Sequence, residues 1–274
     1  MSAGVSNPID PPGLDLNRLR AHLEQAAPGL LAPNGELAAE VIPGGKSNLT
    51  YLVRDGAHRW VLRRPPLGHV LASAHDMARE FRVLTALAGT DVPVPKAMIA
   101  CADPEVIGAP FYLMEFVDGT VLSPGELDPG RASAIACALV DVLARLHAVE
   151  PAAIGLADFG RPTGYLERQL QRWSRQLEAS YSRPLPAAAS LRAALGTDIP
   201  RTSKTCLLHG DYRLENVLIG QHDQVAAVLD WEMSALGDPL ADLALFLVYC
   251  AAPEVITSAP SVGVPRRSWT LVLR

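Results

Sequence analysis

Between Cys206 and Asp230 the chain alternates short apolar runs with polar stretches, and no other feature restricts its folding as much. Cys206-Leu207-Leu208 leads into His209-Gly210-Asp211-Tyr212-Arg213-Leu214-Glu215-Asn216, and Val217-Leu218-Ile219 leads out. A further run, Val225 to Leu229, delivers Asp230-Trp231-Glu232. Short apolar runs bounded by glycine and polar residues read as strands joined by loops. That pattern predicts Asn216 and Asp230 near strand ends, with Asp211 beside them. Oxygen ligands of this kind suit Mg²⁺, which takes few protein ligands and keeps waters and substrate phosphates. Asp211 is then left to orient a hydroxyl. The set points to phosphoryl transfer.

The chain has 274 residues, 49% hydrophobic and 19% charged, enough for one large domain or two lobes. A net charge of −5 without blocks of like charge argues against nucleic acid or an anionic membrane as partner. Cys101, Cys137, Cys206 and Cys250 lie far apart with no CxxC pair, and read as reduced, buried thiols of a reducing compartment. Residues 1–12 lack a basic segment followed by an apolar one. The longest apolar run, Leu243 to Ala252, is about half of a membrane span. A cytoplasmic protein is expected, with its oligomeric state left open.

Residues 1–35 read as a mobile arm and a helix, with Asp15 as N-cap and Leu16, Leu19 and Leu23 on one face. The period then changes, and 37–42, 48–53 and 59–62 read as strands, with Asp55-Gly56 turning between the last two. The intervening Pro43-Gly44-Gly45-Lys46-Ser47-Asn48 either presents backbone N–H groups to a phosphate or is a plain hairpin loop. Residues 73–88 form a helix with Met77, Phe81, Leu84 and Leu87 on one face and Glu80 as a solvated flank. Phe111 to Val117 is a strand. Residues 129–149 form a long core helix, with His147 near its end satisfied by a carbonyl. Residues 164–181 and 240–250 are helices, the latter carrying Asp242, and 182–204 has no defined structure. Strands with one helix, then mostly helices, imply an α+β bilobal molecule: an N-lobe over 36–117, a C-lobe over 118–252 and an irregular tail over 253–274.

These motifs, in this order over roughly residues 36–250, resemble the aminoglycoside phosphotransferase and choline-kinase-like branch of the protein-kinase fold. His209-x-Asp211-x₄-Asn216 is similar to the kinase catalytic loop, and Asp230 to the metal-binding aspartate. Tyr112 to Val117 is similar to the hinge strand. The resemblance implies a small antiparallel β N-lobe with one helix, a mostly helical C-lobe, and ATP and Mg²⁺ as cofactors. By the same resemblance Asp211 takes the proton of the acceptor hydroxyl, Arg213 meets the transferring phosphoryl group, and Asn216 and Asp230 hold Mg²⁺. Gly44, Gly45 and Ser47 fall in the family's phosphate loop, Arg63 in the place of its strand lysine and Glu80 in that of its helix glutamate. Backbone groups of Glu115 and Val117 meet the adenine. Asp242 and His209 steady the catalytic loop.

Two departures qualify the resemblance. Arginine replaces lysine at position 63, and the run Leu62-Arg63-Arg64-Pro65-Pro66 points to a bacterial branch related to the kinase-like domains found beside acyl-CoA dehydrogenases. After Cys250 the family's further helices give way to a segment with prolines at 253, 260 and 265. The expectation is a truncated lower lobe, an exposed apolar face on the 240–250 helix, and weak or absent activity. Only Trp231 to Leu236 separates Asp230 from Gly237-Asp238-Pro239, which leaves no room for a peptide platform. The resemblance therefore implies an ATP-dependent phosphotransferase acting on a hydroxyl of a small molecule, hydroxyacyl-CoA-like or aminoglycoside-like. Arg161, Arg168, Arg172, Arg175 and Arg183, with Trp173 among them, are either a solvated helix face or a site for an anionic acceptor. The alternative function is a catalytically weak or inactive nucleotide-binding protein.

Overall fold

Alternation of side chains along the strands sorts the first part of the chain into two faces. The structure, a computed structural model, describes residues 10–43, 48–68, 76–122, 127–180, 182–202 and 204–251. The chain divides into two units: the first holds residues 1–89, 93–120 and 226–232, and the second holds 90–92, 121–225 and 233–274.

The first unit is built on five antiparallel strands: β1 (Ala38–Val41), β2 (Leu49–Arg54), β3 (Arg59–Arg64), β4 (Ala97–Cys101) and β5 (Phe111–Glu115), in the order β1-β2-β3-β5-β4. Tyr51 and Val53, Trp60 and Leu62, Ile99 and Cys101, and Phe111 and Leu113 are each two apart, so they share one face. Helix α1 (Leu16–Ala26) covers that face with Leu16, Leu19 and Leu23. Burying each leucine stabilises the unit by roughly 1.5–3 kcal/mol. Asp15 caps the helix by accepting the Arg18 N–H at 2.9 Å.

The opposite face carries Arg63 and Tyr112, which lie directly across from each other where β3 pairs with β5. Helix α2 (Met77–Leu87), capped by Asp76, packs on β4 and β5 and buries Glu80, Val83, Leu84 and Leu87, while the short α3 (Pro104–Ile107), between β4 and β5 in the chain, packs on α1. Strand β3 runs two residues beyond the expected end at 62, because Arg63 and Arg64 keep register with Thr50 and Leu49 of β2. That extension holds Arg63 on a rigid element.

Asp55, at the β2–β3 turn, has a buried carboxylate that accepts N–H bonds from Ala32 (2.6 Å), His58 (2.7 Å) and Ala57 (3.0 Å). Burial alone would raise its pKa, but these bonds and the His58 ring outweigh it and bring the carboxyl down to about 2. The linkage follows from that depression. The contribution is full above the unfolded value of 3.8 and is lost as pH falls towards about 2. Asp55→Ala leaves several N–H groups without their acceptor, and is expected to destabilise the first unit by about 2–3 kcal/mol. Denaturant unfolding at neutral pH checks this, and a change under 0.5 kcal/mol would contradict the role given to the carboxylate.

In the second unit α4 (Pro129–Ala148) buries Ile135, Leu139, Val142, Leu143 and Leu146 at three- and four-residue spacing. It packs on β6 (Cys206–Leu208), which pairs antiparallel with β9 (Ala235–Gly237) and also meets α7 (Pro239–Ala251). Between α4 and β6 lie α5 (Tyr165–Ser180) and α6 (Pro186–Thr197); the latter occupies the stretch read as undefined and buries none of its residues. β7 (Val217–Ile219) follows β6, the chain then turns with the Gly220 N–H on the Gln224 carbonyl at 2.9 Å, and β8 (Val225–Val228) carries it into the segment 226–232 that belongs to the first unit. Among the described residues no helix is long and apolar enough to cross a membrane.

Of the four cysteines expected to be buried, three are, whereas Cys137 lies on the exposed side of α4. Burial raises the pKa of Cys206 and of Cys250 to about 12. On α7, Phe246 and Cys250 are buried while Leu240 and Val248 are exposed. The tail over 253–274, on which the expected open face depends, lies outside the described residues, as does the arm over 1–9.

Candidate active site

In the first unit the functional side chains gather on the sheet face opposite α1. Arg63 places one terminal nitrogen 3.4 Å from Oε2 of Glu80 and the other 2.8 Å from Oδ1 of Asp230. Tyr112 donates its hydroxyl to Glu80 Oε2 at 2.9 Å. The Asn48 amide donates to Glu80 Oε1 at 3.2 Å and to Glu232 Oε2 at 3.1 Å. Taken alone, the helix pattern suggests a solvated flank, whereas the family resemblance makes Glu80 the helix glutamate; it is 0% exposed and lies beside Arg63. Burial of a carboxylate is tolerated where charge and hydrogen bonds meet it, and here the Arg63 guanidinium from β3 and the Tyr112 hydroxyl from β5 both reach Glu80. Burial still pushes Glu80 up to about 7 against the pull of Arg63, and the neighbouring Asp230 and Glu232 add to the rise.

Asp230 has φ +64°, the left-handed region that a non-glycine residue seldom occupies. Oxygens of Glu80, Asp230 and Glu232 lie within 4.8 Å of one another. With carboxylate oxygens and no thiolate, the donor set fits a hard divalent cation such as Mg²⁺. At the end of β5 the N–H of Glu115 is bonded to the Lys96 carbonyl at 2.9 Å. Val117 follows in a segment fixed by the Arg59 guanidinium, which stacks over Phe116 at 4.4 Å and pairs with Asp118 at 3.0 Å. Gly44, Gly45 and Ser47 lie outside the described residues.

In the second unit the loop after β6 is held from below. Asp242, on α7 and 1% exposed, accepts the His209 N–H and the Gly210 N–H, each at 2.8 Å. His147 reaches Asp242 Oδ2 at 3.1 Å through Nε2, so its partner is a carboxylate where the sequence suggested a carbonyl. Gly210 has φ +87°, and a side chain there would run into the Met233 backbone. The Asp211 N–H donates to His209 Nδ1 at 3.2 Å, which casts that nitrogen as acceptor and His209 as a support. Tyr212 anchors the loop to α4 by donating its hydroxyl to the Leu139 carbonyl at 2.8 Å.

These supports aim the carboxylate of Asp211. Its Oδ2 accepts the Asn216 amide at 2.9 Å and has Arg213 Nε at 3.4 Å. The same amide nitrogen donates to the Asp211 carbonyl at 2.8 Å, which turns the Asn216 Oδ1 away from Asp211 as a possible cation ligand. Oδ1 of Asp211 accepts the Tyr249 hydroxyl at 2.7 Å.

The model of the phosphotransferase enzyme family (APH) matches residues 38–258, most of the chain. The chain belongs to that family. Acyl-CoA dehydrogenase family member 10 of Mus musculus is 42% identical over 229 residues, which cover 81% of this chain and 21% of that protein. The chain spans only a fifth to a third of the length of the curated relatives it matches. A crystal structure from Ralstonia eutropha, described as an aminoglycoside phosphotransferase, has 35% identity and a TM-score of 0.77, covering 93% of this chain and 78% of its own. The ternary complex of streptomycin, ATP and APH(2″)-IIa is 16% identical with a TM-score of 0.61, covering 95% and 84%, a likeness of fold alone. The family fold is thus the protein-kinase-like one, with its antiparallel five-stranded sheet and helices.

Of the expected site residues, Arg63, Glu80 and Asp230 meet in the first unit, and Asp211, Arg213 and Asn216 meet in the second. Sequence reasoning missed Asn48, Tyr112, Glu232 and Tyr249 as parts of these clusters. Tyr112 was within reach, because period-two pairing puts it opposite Arg63. Tyr249 lies 38 positions after Asp211, on α7, and carried no local signal.

Proposed function

We propose that the chain transfers the γ-phosphate of ATP to a hydroxyl of a small molecule, with Mg²⁺ bound. The observation that carries this reading is Asp211, whose loop is tied down by Asp242 and Tyr212 and whose carboxylate is oriented by Asn216. Phosphoryl transfer asks the protein mainly for positioning and charge compensation, and a fixed carboxylate beside an arginine supplies both. Asp211 orients the acceptor hydroxyl and takes its proton, and Arg213 compensates charge on the transferring group. Asp230 and Asn216 would hold Mg²⁺, which supplies neutralisation of the phosphate oxygens. Arg63 and Glu80 would serve the nucleotide phosphates, with Gly44, Gly45 and Ser47 in the phosphate loop and the backbone of Glu115 and Val117 at the adenine. ATP and a small-molecule acceptor fit the streptomycin–ATP complex of the structural neighbour.

For the acceptor, a hydroxyacyl-CoA-like alcohol is favoured by the acyl-CoA dehydrogenase relatives, and an aminoglycoside by the structural neighbours. The arginines of α5 bear on this. Arg168 is turned inward onto the Arg161 and Thr163 carbonyls, whereas Arg172 lies 5.8 Å from the exposed Trp173 ring. A second reading, nucleotide binding without transfer, is favoured by one observation: the Arg63 guanidinium already pairs with Asp230, the residue meant for the metal. An ADP-release screen with Mg²⁺ and hydroxyacyl-CoAs, aminoglycosides or choline-like alcohols decides between them. The expected result is acceptor-dependent ADP release, greatest with the hydroxyacyl-CoAs. ATP binding by folded protein with no release above background for any class would favour the second reading.

A further inference from the structure

The two carboxylate oxygens of Asp211 are held differently, and one of them is taken by a hydroxyl from α7. Oδ2 is held by the Asn216 amide and the Arg213 Nε, which leaves Oδ1 for the alcohol to be phosphorylated. Tyr249 Oη donates to that Oδ1 at 2.7 Å. An O–H donated to a carboxylate at this distance is the contact an acceptor alcohol must make before it gives up its proton. The phenol is held in place from its face, where the Arg213 guanidinium lies 5.2 Å from the ring centre. It also stays a donor through the neutral range: burial, then the charge of Asp211, pushes its pKa up to about 12.

We infer that Tyr249 stands in for the acceptor hydroxyl, occupying the place at Asp211 Oδ1 that a water would otherwise take until a true acceptor displaces it. This rests on the phosphotransferase reading. Without such a guard, water in the acceptor's place would be activated in the same way. Its oxygen would bond to the γ-phosphorus, the bond from that phosphorus to the β–γ bridging oxygen would break, and its proton would pass to Asp211. The products would be ADP and inorganic phosphate, and ATP would be consumed with no alcohol phosphorylated. Tyr249 is therefore a specificity-determining residue, which separates transfer to an alcohol from transfer to water.

The first measurement is made without an acceptor, and the alcohol screen above is run beside it. Phosphate release from Mg·ATP, with no alcohol present, is measured for the full chain, Tyr249→Ala, Tyr249→Phe and the double variant Asp211→Asn/Tyr249→Ala. Tyr249→Ala opens both the lone pair and the volume, and its release is expected to rise about tenfold or more. Tyr249→Phe keeps the ring and frees only the carboxylate, so a smaller rise is expected and folding is preserved. The double variant returns to background. Rates that stay level or fall in both single variants, while the parent chain phosphorylates an alcohol, would overturn the guard and leave the phosphotransferase reading standing. Detection of phosphate on Tyr249 by intact mass would also overturn it, because the phenol would then be a substrate. If all four proteins bind Mg·ATP yet none releases phosphate or modifies any alcohol, both the inference and the reading beneath it fail.

Discussion

Asp211→Asn is expected to lower the rate of phosphate transfer by about 10²–10⁴-fold, the range for loss of a general base. Nucleotide affinity and melting temperature should change little. The structure accommodates the amide: its oxygen can accept from Asn216 Nδ2, and its NH₂ can donate to the Tyr249 hydroxyl oxygen. The loss therefore belongs to proton acceptance and not to a collapsed loop. Steady-state transfer to the best acceptor, with ATP affinity and thermal unfolding measured in parallel, checks all three. A rate within threefold of the parent chain would remove Asp211 from the chemistry.

The conformation of the loop 209–216 was legible because its residues are contiguous. Gly210, Asp211, Asn216 and the flanking apolar runs lie in one stretch, so local spacing carries most of the information. The sheet was legible too, since alternation in β2 and β3 reports the buried face directly. What stayed hidden depends on tertiary pairing. Glu80 looks solvated on its helix taken alone; the family resemblance supplies Arg63 as a neighbour, but no sequence window shows that Tyr112 also arrives opposite it. His147 looks like a helix-end residue because Asp242, its partner, lies 95 positions away. Tyr249 and Asp211 are 38 positions apart and meet only when α7 packs beneath the loop. Helix α6 went unread because none of its residues is buried, and an unburied helix shows little amphipathic pattern.

Arg63→Met carries the other large effect, this time on stability. The guanidinium, 9% exposed, compensates Glu80 at 3.4 Å and Asp230 at 2.8 Å. Removing it leaves two carboxylates without their cation, and breaking such a buried pair typically costs about 3–5 kcal/mol. Asp230 retains some water, so most of the penalty falls on Glu80. The pH dependence has a definite sign. Glu80 has a folded pKa raised to about 7 from 4.5, so the folded state binds its proton more tightly than the unfolded one. Stability linked to Glu80 therefore falls as pH rises from about 4.5 to about 7, then levels off. Without Arg63 the cationic pull that lowers that pKa is gone, so the variant's deficit should be smaller at pH 6 than at pH 8. Arg63→Lys restores the charge without a fork that spans both carboxylates, and should recover part of the loss. Denaturant unfolding at the two pH values, followed by the buried Trp60 and Trp231 of the same unit, provides the measurement. Equal deficits at both values would show that Glu80 is not the group responding.

The placement of the thiols gives the chain an internal clock for its own opening. Cys137 is exposed and open to a thiol reagent in the native state. Cys101 is shut inside the first unit, and Cys206 and Cys250 inside the second. With Cys137 blocked beforehand, each later modification dates an excursion in which one unit loosens. Mapping the modified position by peptide mass assigns the excursion to its unit, without a probe attached or a residue replaced.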